Sequence, residues 1–371
     1  MKDFYQRYLL PGLVFQSVVI GGGYASGREL IEFFGRAGPT GGLLGMGVAM
    51  LIWSVTLAVS FELVRCTQSF DYKSFFSQLL GRGWVLFEIS YFLLLLLVLS
   101  VLGAASGEIV HDGTGAPKLA GTLAMMIVVA LGVFFGNRTI ERALGGSAIA
   151  LFAAFIVLVI WGLAAFGDRI AQNFATVPVQ DNWFMSGLTY SGYNMASVVA
   201  VFFCLRHLTC RREAIGAGLL AGPLTMLPGM LFFVAMMGWY PEIAGAPVPA
   251  IFLTAKLNAP WFNFIFSAIV LWTLVATGVG MIHAVNERVA KIYRERGGEM
   301  PRLLRPTLAL GLLVLAVFAA DAVGIIGLVA KGYGYSTWLF IGLLVVPVLT
   351  IGVRKILRLE SSPLPQGMST P

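Results

Sequence analysis

The stretch VVIGGGYASGRELIEFF, from Val18 to Phe34, begins as a membrane span and then stops behaving like one. Three glycines, Gly21, Gly22 and Gly23, are followed by Tyr24, Ala25, Ser26 and Gly27, and then by the charges Arg28, Glu29 and Glu32. A glycine inside a helix costs roughly 0.8–1.0 kcal/mol relative to alanine. In lipid, glycine is commoner in spans and also forms close packing faces. The charges favour a break over a packing face. Ser26 followed by Glu29 reads as S-x-x-E, the capping box that opens a new helix. A helix restarting in mid-span predicts an unwound segment at about 21–26. Non-helical backbone at that depth persists only where protein buries it or where it lines a water-filled cavity.

The rest of the chain also reads as membrane protein. Of 371 residues, 58 % are hydrophobic and 12 % charged, whereas soluble domains carry about 25 % charged residues. Ten windows read as spans, at about 8–34, 41–64, 83–107, 119–136, 146–167, 183–205, 214–239, 260–286, 303–324 and 335–357. Most approach the ~20 residues that a crossing needs. With a cytoplasmic N-terminus, the inner connections hold 19 Lys and Arg, from Lys2 to Arg358. The outer ones hold 5, namely Arg36, Lys118, Arg169, Lys256 and Lys331. This positive-inside split predicts an even number of spans, with both termini in the cytoplasm. It also accounts for the net charge of +7 without a nucleic-acid partner. Cys66, Cys204 and Cys210 fall at inner span ends, so reduced thiols are expected. No cleavable signal pattern is present, and the first span is expected to be retained. Residues 1–359 read as one transmembrane domain. The polar, Pro-rich segment 360–371 reads as a disordered cytoplasmic tail.

A counterpart to the first break lies in the sixth window, NWFMSGLTYSGYNMASVVAVFF. Its middle, Tyr190, Ser191, Gly192, Tyr193 and Asn194, is polar and turn-prone, and Ser191 and Asn194 are both N-cap residue types. Interruptions in corresponding spans of two halves point to a transporter binding site. Five spans per half give the halves opposite orientation. The repeats then cover about 8–167 and 183–357. The fold class is therefore an all-α polytopic membrane protein with ten transmembrane helices in two inverted repeats, helices 1 and 6 being broken in mid-membrane.

The run G-G-G-Y-A-S-G-R-E at 21–29, with Phe33, Phe34 and Gly35 after it, resembles the first-span signature of YkvI-type bacterial membrane proteins. The region from Ser191 to Asn194 is similar to the sixth span of that family. The resemblance implies the amino acid–polyamine–organocation superfamily and its LeuT-like fold. It further implies an amino-acid permease of the cytoplasmic membrane, with substrate held between the broken parts of spans 1 and 6. The expected contacts are Gly21, Gly22, Gly23, Tyr24, Ser26 and Gly27 from span 1. From span 6 they are Tyr190, Ser191, Gly192, Tyr193 and Asn194. Freed N–H groups at 24–28 suit a carboxylate, and freed carbonyls suit an ammonium group or a cation. Ser100 of span 3 either faces the site or bonds to its own helix.

Glu29 is either a helix cap or a functional group, a proton carrier or a partner for a substrate amine. Arg28 is a gate candidate and, four residues before Glu32, also a local salt-bridge candidate. In sodium-coupled relatives a cation sits between the span 1 break and span 8. Thr273, Ala276 and Thr277 give a partial match to that Na⁺ site, and span 5 has no Lys or Arg to replace the ion. Proton coupling through Glu29 is the alternative. Segment 241–259 is either an interfacial loop or a lid, with Pro249 placed to start a short helix. Glu88, Asp321, His283, Asn286 and Glu287 lie near span ends and read as structural.

Among function classes, a transporter of an amino acid or related zwitterion leads. An enzyme is disfavoured, because H-E-x-x-H, G-x-S-x-G and the nucleotide P-loop are absent. A metal-ion transporter of the same fold would carry Asp-Pro-Gly and Met-Pro-His type breaks, and neither occurs. His111, His207 and His283 are scattered and suggest no metal cluster. A sensor on a transporter scaffold is the remaining alternative.

Overall fold

The computed structural model describes residues 2–135, 138–301 and 303–361. Most of the predicted tail, 362–371, lies outside the described residues. Among the described residues, all regular structure is helical. Six stretches are long and apolar enough to cross a membrane: Arg28–Thr67, Tyr72–Thr114, Ile149–Thr176, Arg211–Trp239, Pro260–Glu295 and Leu304–Leu359.

By this measure the ten expected windows yield six crossings, and the difference has local causes. The first window is cut into Leu10–Val19 and Arg28–Phe34, and the second piece runs on through a 3₁₀ turn into the Gly38–Thr67 helix. The helix that begins at Lys118 falls just short in length. The sixth window is α-helical only over Trp183–Asn194, then tightens into 3₁₀ turns over Met195–Ala200 and Phe202–His207. The ninth and tenth windows fall in one helical stretch that is kinked at Gly324, whose φ of 70° and ψ of 165° leave the helical region.

The Arg211–Met236 helix packs closely against Gly38–Thr67, and small residues make it so. A Cβ at Gly218 would overlap the Ala58 backbone, and one at Gly222 would overlap the Ser54 hydroxyl. Such close approach is how membrane helices gain packing energy when hydrophobic burial no longer drives association. Arg211–Met236 also contains Pro223 and Pro228. Each proline lacks the N–H that would bond the carbonyl four residues back. Neighbouring helices supply the missing donors. Ser54 Oγ donates to the Leu219 carbonyl at 3.1 Å, and Gln16 Nε2 donates to the Leu224 carbonyl at 2.7 Å. Both prolines are thereby tolerated at membrane depth.

Candidate functional site

The Leu10–Val19 helix ends at Ile20, whose ψ of 49° leaves the helical region. One helical turn, Gly22–Ala25, follows. The backbone then breaks again at Ser26 and Gly27, and the Arg28–Phe34 helix starts. The expected unwound segment 21–26 is thus two breaks with a turn between them. The Ala25 N–H bonds to the Gly21 carbonyl at 2.9 Å, which rewinds the middle.

The helix restart is not a capping box. The N-cap is Gly27, at a φ of +76°, a conformation open to glycine. Ser26 therefore sits one residue too early. Its Oγ donates to the Gly23 carbonyl at 2.6 Å and accepts from the Arg28 N–H at 3.1 Å. Glu29 turns away from the Ser26 backbone. Its carboxylate accepts from the Tyr193 hydroxyl at 2.6 Å, and its other oxygen lies against Gly23, where any side chain would overlap it. Of the two roles read for Glu29, the cap is excluded.

The second break is displaced from its expected position. The Trp183–Asn194 helix runs unbroken through Tyr190, Ser191, Gly192, Tyr193 and Asn194, and the 3₁₀ segment starts at Met195. Ser191 Oγ donates to the Leu188 carbonyl at 2.8 Å, and Asn194 Nδ2 donates to the Tyr190 carbonyl at 3.1 Å. The polar groups that looked like caps are satisfied inside their own helix. Gly192 faces elsewhere, against Thr337.

Tyr190 and Tyr193 do meet the first break. The Phe33 ring lies 5.4 Å from Tyr190 and 5.7 Å from Tyr193, and Phe34 lies 4.8 Å from Tyr190. Two further rings, unmarked in the sequence, complete this cluster. Tyr333 stacks on Tyr193 at 4.5 Å, and Trp53 lies 5.6 Å from Tyr190. An aromatic ring inside an apolar run carries no local signal that it faces a site. Tyr24 is buried with its hydroxyl against Gly229, and among the described residues that hydroxyl has no hydrogen-bond partner.

Above this cluster opens a cavity of about 430 Å³, lined by Glu32, Phe33, Arg36, Thr189, Lys331 and Tyr335 among others. Phe33 belongs both to the cavity wall and to the aromatic cluster, which reaches Glu29 through Tyr193. The expected Arg28–Glu32 pair is present at 2.5 Å with both side chains buried, and Arg36 pairs with the other Glu32 oxygen. Arg28 also donates to the Ala244 and Ala246 carbonyls, at 2.9 and 3.0 Å. The Ser26 carbonyl, freed by the break, accepts from the Ala250 N–H at 2.9 Å. Segment 241–259 therefore bonds directly to the break. Its helix, Pro249–Lys256, starts at the proline.

Four other expected residues use their hydroxyls locally or supply none. Ser100 Oγ donates to the Leu96 carbonyl at 2.8 Å. Thr273 donates to Ile269 and Thr277 to Thr273, both at 2.9 Å, while Ala276 is half-buried beside them. A hydroxyl that donates in this way keeps lone pairs for a cation. Thr277 also reaches the first break: a Cβ at Gly21 would lie 3.8 Å from its methyl group. Away from the site, Glu88 pairs with Arg288 at 3.3 Å, Glu287 pairs with Arg305 at 3.1 Å, and His283 and Asp321 are exposed.

No protein-family model matches this chain. The curated relative "Uncharacterized membrane protein YkvI" of Bacillus subtilis (strain 168) is 20 % identical over 281 residues, covering 74 % of this chain and 79 % of that protein. The resemblance drawn from residues 21–35 thus extends over most of the chain. Among solved structures, an Eremococcus coleocola manganese transporter in complex with an aromatic bis-isothiourea substituted compound aligns with a TM-score of 0.51 and 13 % identity. That alignment covers 95 % of this chain and 84 % of that one. At this identity the likeness is one of fold.

Proposed function

We propose that this chain is a secondary active transporter. It moves an amino acid or a related small zwitterion across the cytoplasmic membrane by alternating access. The observation that carries the proposal is the doubly broken first span, whose freed backbone meets a buried carboxylate, an aromatic cluster and a lid. The reading takes the fold as ten membrane helices in two inverted five-helix repeats, with both termini cytoplasmic. The cavity over Phe33 is then the outer vestibule. Arg28, held by Glu32 and by two lid carbonyls, is the outer clasp. On the opposite side, Arg7 pairs with Glu213 at 2.5 Å and ties the N-terminal segment to the Arg211–Met236 helix. Substrate binds between 20–27 and the Tyr190–Tyr193 face. Its carboxylate meets the N–H groups at the start of the Arg28–Phe34 helix. The coupling ion is Na⁺, near Gly21 and Thr273, Ala276 and Thr277, or H⁺.

The manganese transporter shares the fold, but a metal-ion cargo has less support here. Among the described residues, no three His, Cys, Asp or Glu side chains come together in a group that could hold a metal ion. A ligand sensor on the same scaffold would bind solute without accumulating it.

A thermal-shift screen of amino acids and amines, with and without Na⁺, tests the binding half of this proposal. A ligand at a hundredfold excess over Kd adds about 2.7 kcal/mol of stability. The shift is expected to vanish in Ser26→Leu and to persist in His283→Ala. A shift that persists equally in both variants would place the ligand elsewhere.

A further inference from the structure

Several helices converge on Glu29, and among the described residues none brings it a positive charge. Its side chain is buried, with 5 % of the residue exposed. Its carboxylate accepts a hydrogen bond from the Tyr193 hydroxyl, and among the described residues no Lys, Arg or His pairs with it. Arg28, its chain neighbour, is engaged by Glu32 and by the Ala244 and Ala246 carbonyls. The titratable groups around the carboxylate are Tyr24 from the preceding turn, Tyr190 and Tyr193 from the Trp183–Asn194 helix, and Tyr333. None of these supplies a cation. On its own helix the other charges are Arg28 and Glu32, which pair with each other. From the lid, Ala244, Ala246 and Ala250 offer backbone groups alone.

An ionised carboxylate in low dielectric costs several kcal/mol unless it is paired. One neutral hydroxyl does not offset that. The site is therefore one positive charge short. Gly23 adds a second observation. Because position 23 lacks a side chain, the carboxylate rests on the backbone of the broken segment. That is where the proposed substrate lies. The buried Tyr24 hydroxyl, beside the same break, is another polar group without a partner among the described residues.

We infer that Glu29 receives the positive charge that is transported, either a proton or the ammonium group of the substrate. The inference rests on the transport reading above. With a proton, the carboxylate becomes a carboxylic acid, and Tyr193 goes on donating to an oxygen of that group. With ammonium, an N–H of the substrate takes up the oxygen that faces Gly23. In either case the filled site is electrically balanced and the empty ionised one is not. An empty carrier then has a reason not to reorient without its cargo.

Two measurements test this on the full chain. In the first, infrared difference spectra are recorded on the wild type, Glu29→Gln and Tyr193→Phe as pH is varied and as a mixture of amino acids is added. A carboxylic-acid band that titrates, is missing in Glu29→Gln and moves in Tyr193→Phe supports the inference with a proton as the source. A carboxylate band that shifts only when the mixture is added, and only while Glu29 is present, supports it with ammonium as the source. Spectra of the wild type and Glu29→Gln that superimpose under all conditions overturn it.

In the second, proteoliposomes take up a tritiated amino-acid mixture. Removing a charge-assisted contact worth about 1.5–3 kcal/mol lowers gradient-driven accumulation by about 10- to 100-fold in Glu29→Gln. Accumulation equal to wild type overturns the inference and leaves the transport reading standing. A Glu29-dependent band in a wild-type protein that shows no uptake over protein-free vesicles defeats the transport reading instead, and supports Glu29 as a charge-receiving site.

Discussion

At position 23 a methyl group would overlap the Glu29 carboxyl, so Gly23→Ala must push one of the two away. Overpacking of this kind costs about 1–3 kcal/mol. The variant is expected to unfold at lower temperature and to lose ligand-induced stabilisation together with the Tyr193–Glu29 bond. Wild-type stability and an unchanged ligand shift in Gly23→Ala would contradict the placement of Glu29. At this scale the sequence was informative where chemistry forced a choice. Arg28 and Glu32, four apart, form the pair their spacing suggests. Gly27 is the glycine that the backbone needs at positive φ. Trp53 and Tyr333 were not legible, because only tertiary contact sets them apart from other aromatic residues in apolar runs.

At the scale of the helix, the two prolines of Arg211–Met236 give a test that separates contact from coincidence. Gln16→Leu leaves the Leu224 carbonyl without its donor and is expected to destabilise by about 1–3 kcal/mol. In a Pro228→Ala background the restored N–H can serve that carbonyl, so the same substitution should cost clearly less. Equal costs in both backgrounds, measured by denaturant or thermal unfolding, would show that Gln16 does not serve the proline break. A second helix end is open to a pH test. Asp71 caps the Tyr72–Leu80 helix, accepting from the Lys73 and Ser74 N–H groups at 3.1 Å. Partial burial works to raise its pKa, but hydrogen bonds from the Ser74 side chain and backbone, helped by the Lys291 charge, hold it below the usual aspartate value. A depressed folded-state pKa means that the stabilisation is full above the ordinary aspartate pKa and fades as pH falls through the folded value. Asp71→Ala is therefore expected to cost about 1 kcal/mol at neutral pH and progressively less in acid. A cost independent of pH would contradict the cap.

The breaks of spans 1 and 6 show how far helix-scale features could be read. Gly21 to Gly23 and Gly27 announced the first, since glycine weakens a helix wherever it falls. Ser191 and Asn194 announced the second too early. Their side chains bond back to the Leu188 and Tyr190 carbonyls, an outcome that residue type does not distinguish from capping.

Over the whole molecule, segment 241–259 and the first break are joined through three backbone groups, the Ala244 and Ala246 carbonyls and the Ala250 N–H. Arg28→Ala removes two of these ties and leaves the buried Glu32 with Arg36 alone. Breaking a buried pair costs about 3–5 kcal/mol. Hydrogen exchange in 242–256 is expected to speed up, and Arg28→Lys should recover less than half of the protection, because a lysine is a point charge without the planar fork. Protection unchanged in Arg28→Ala would separate the lid from the site. The charge count, which needs only the number and side of the connections, suggested the orientation. The lid contacts needed the fold, because residues 28 and 246 are far apart in the chain.

Solute crossing at the proposed site, the first break, can be read by counterflow. Proteoliposomes loaded with unlabelled amino acids are diluted into a tritiated amino-acid mixture. The wild type is expected to accumulate label transiently above protein-free vesicles, His283→Ala to match it, and Ser26→Leu to fall to the protein-free level. Accumulation by Ser26→Leu equal to the wild type, or none by the wild type, would contradict the account.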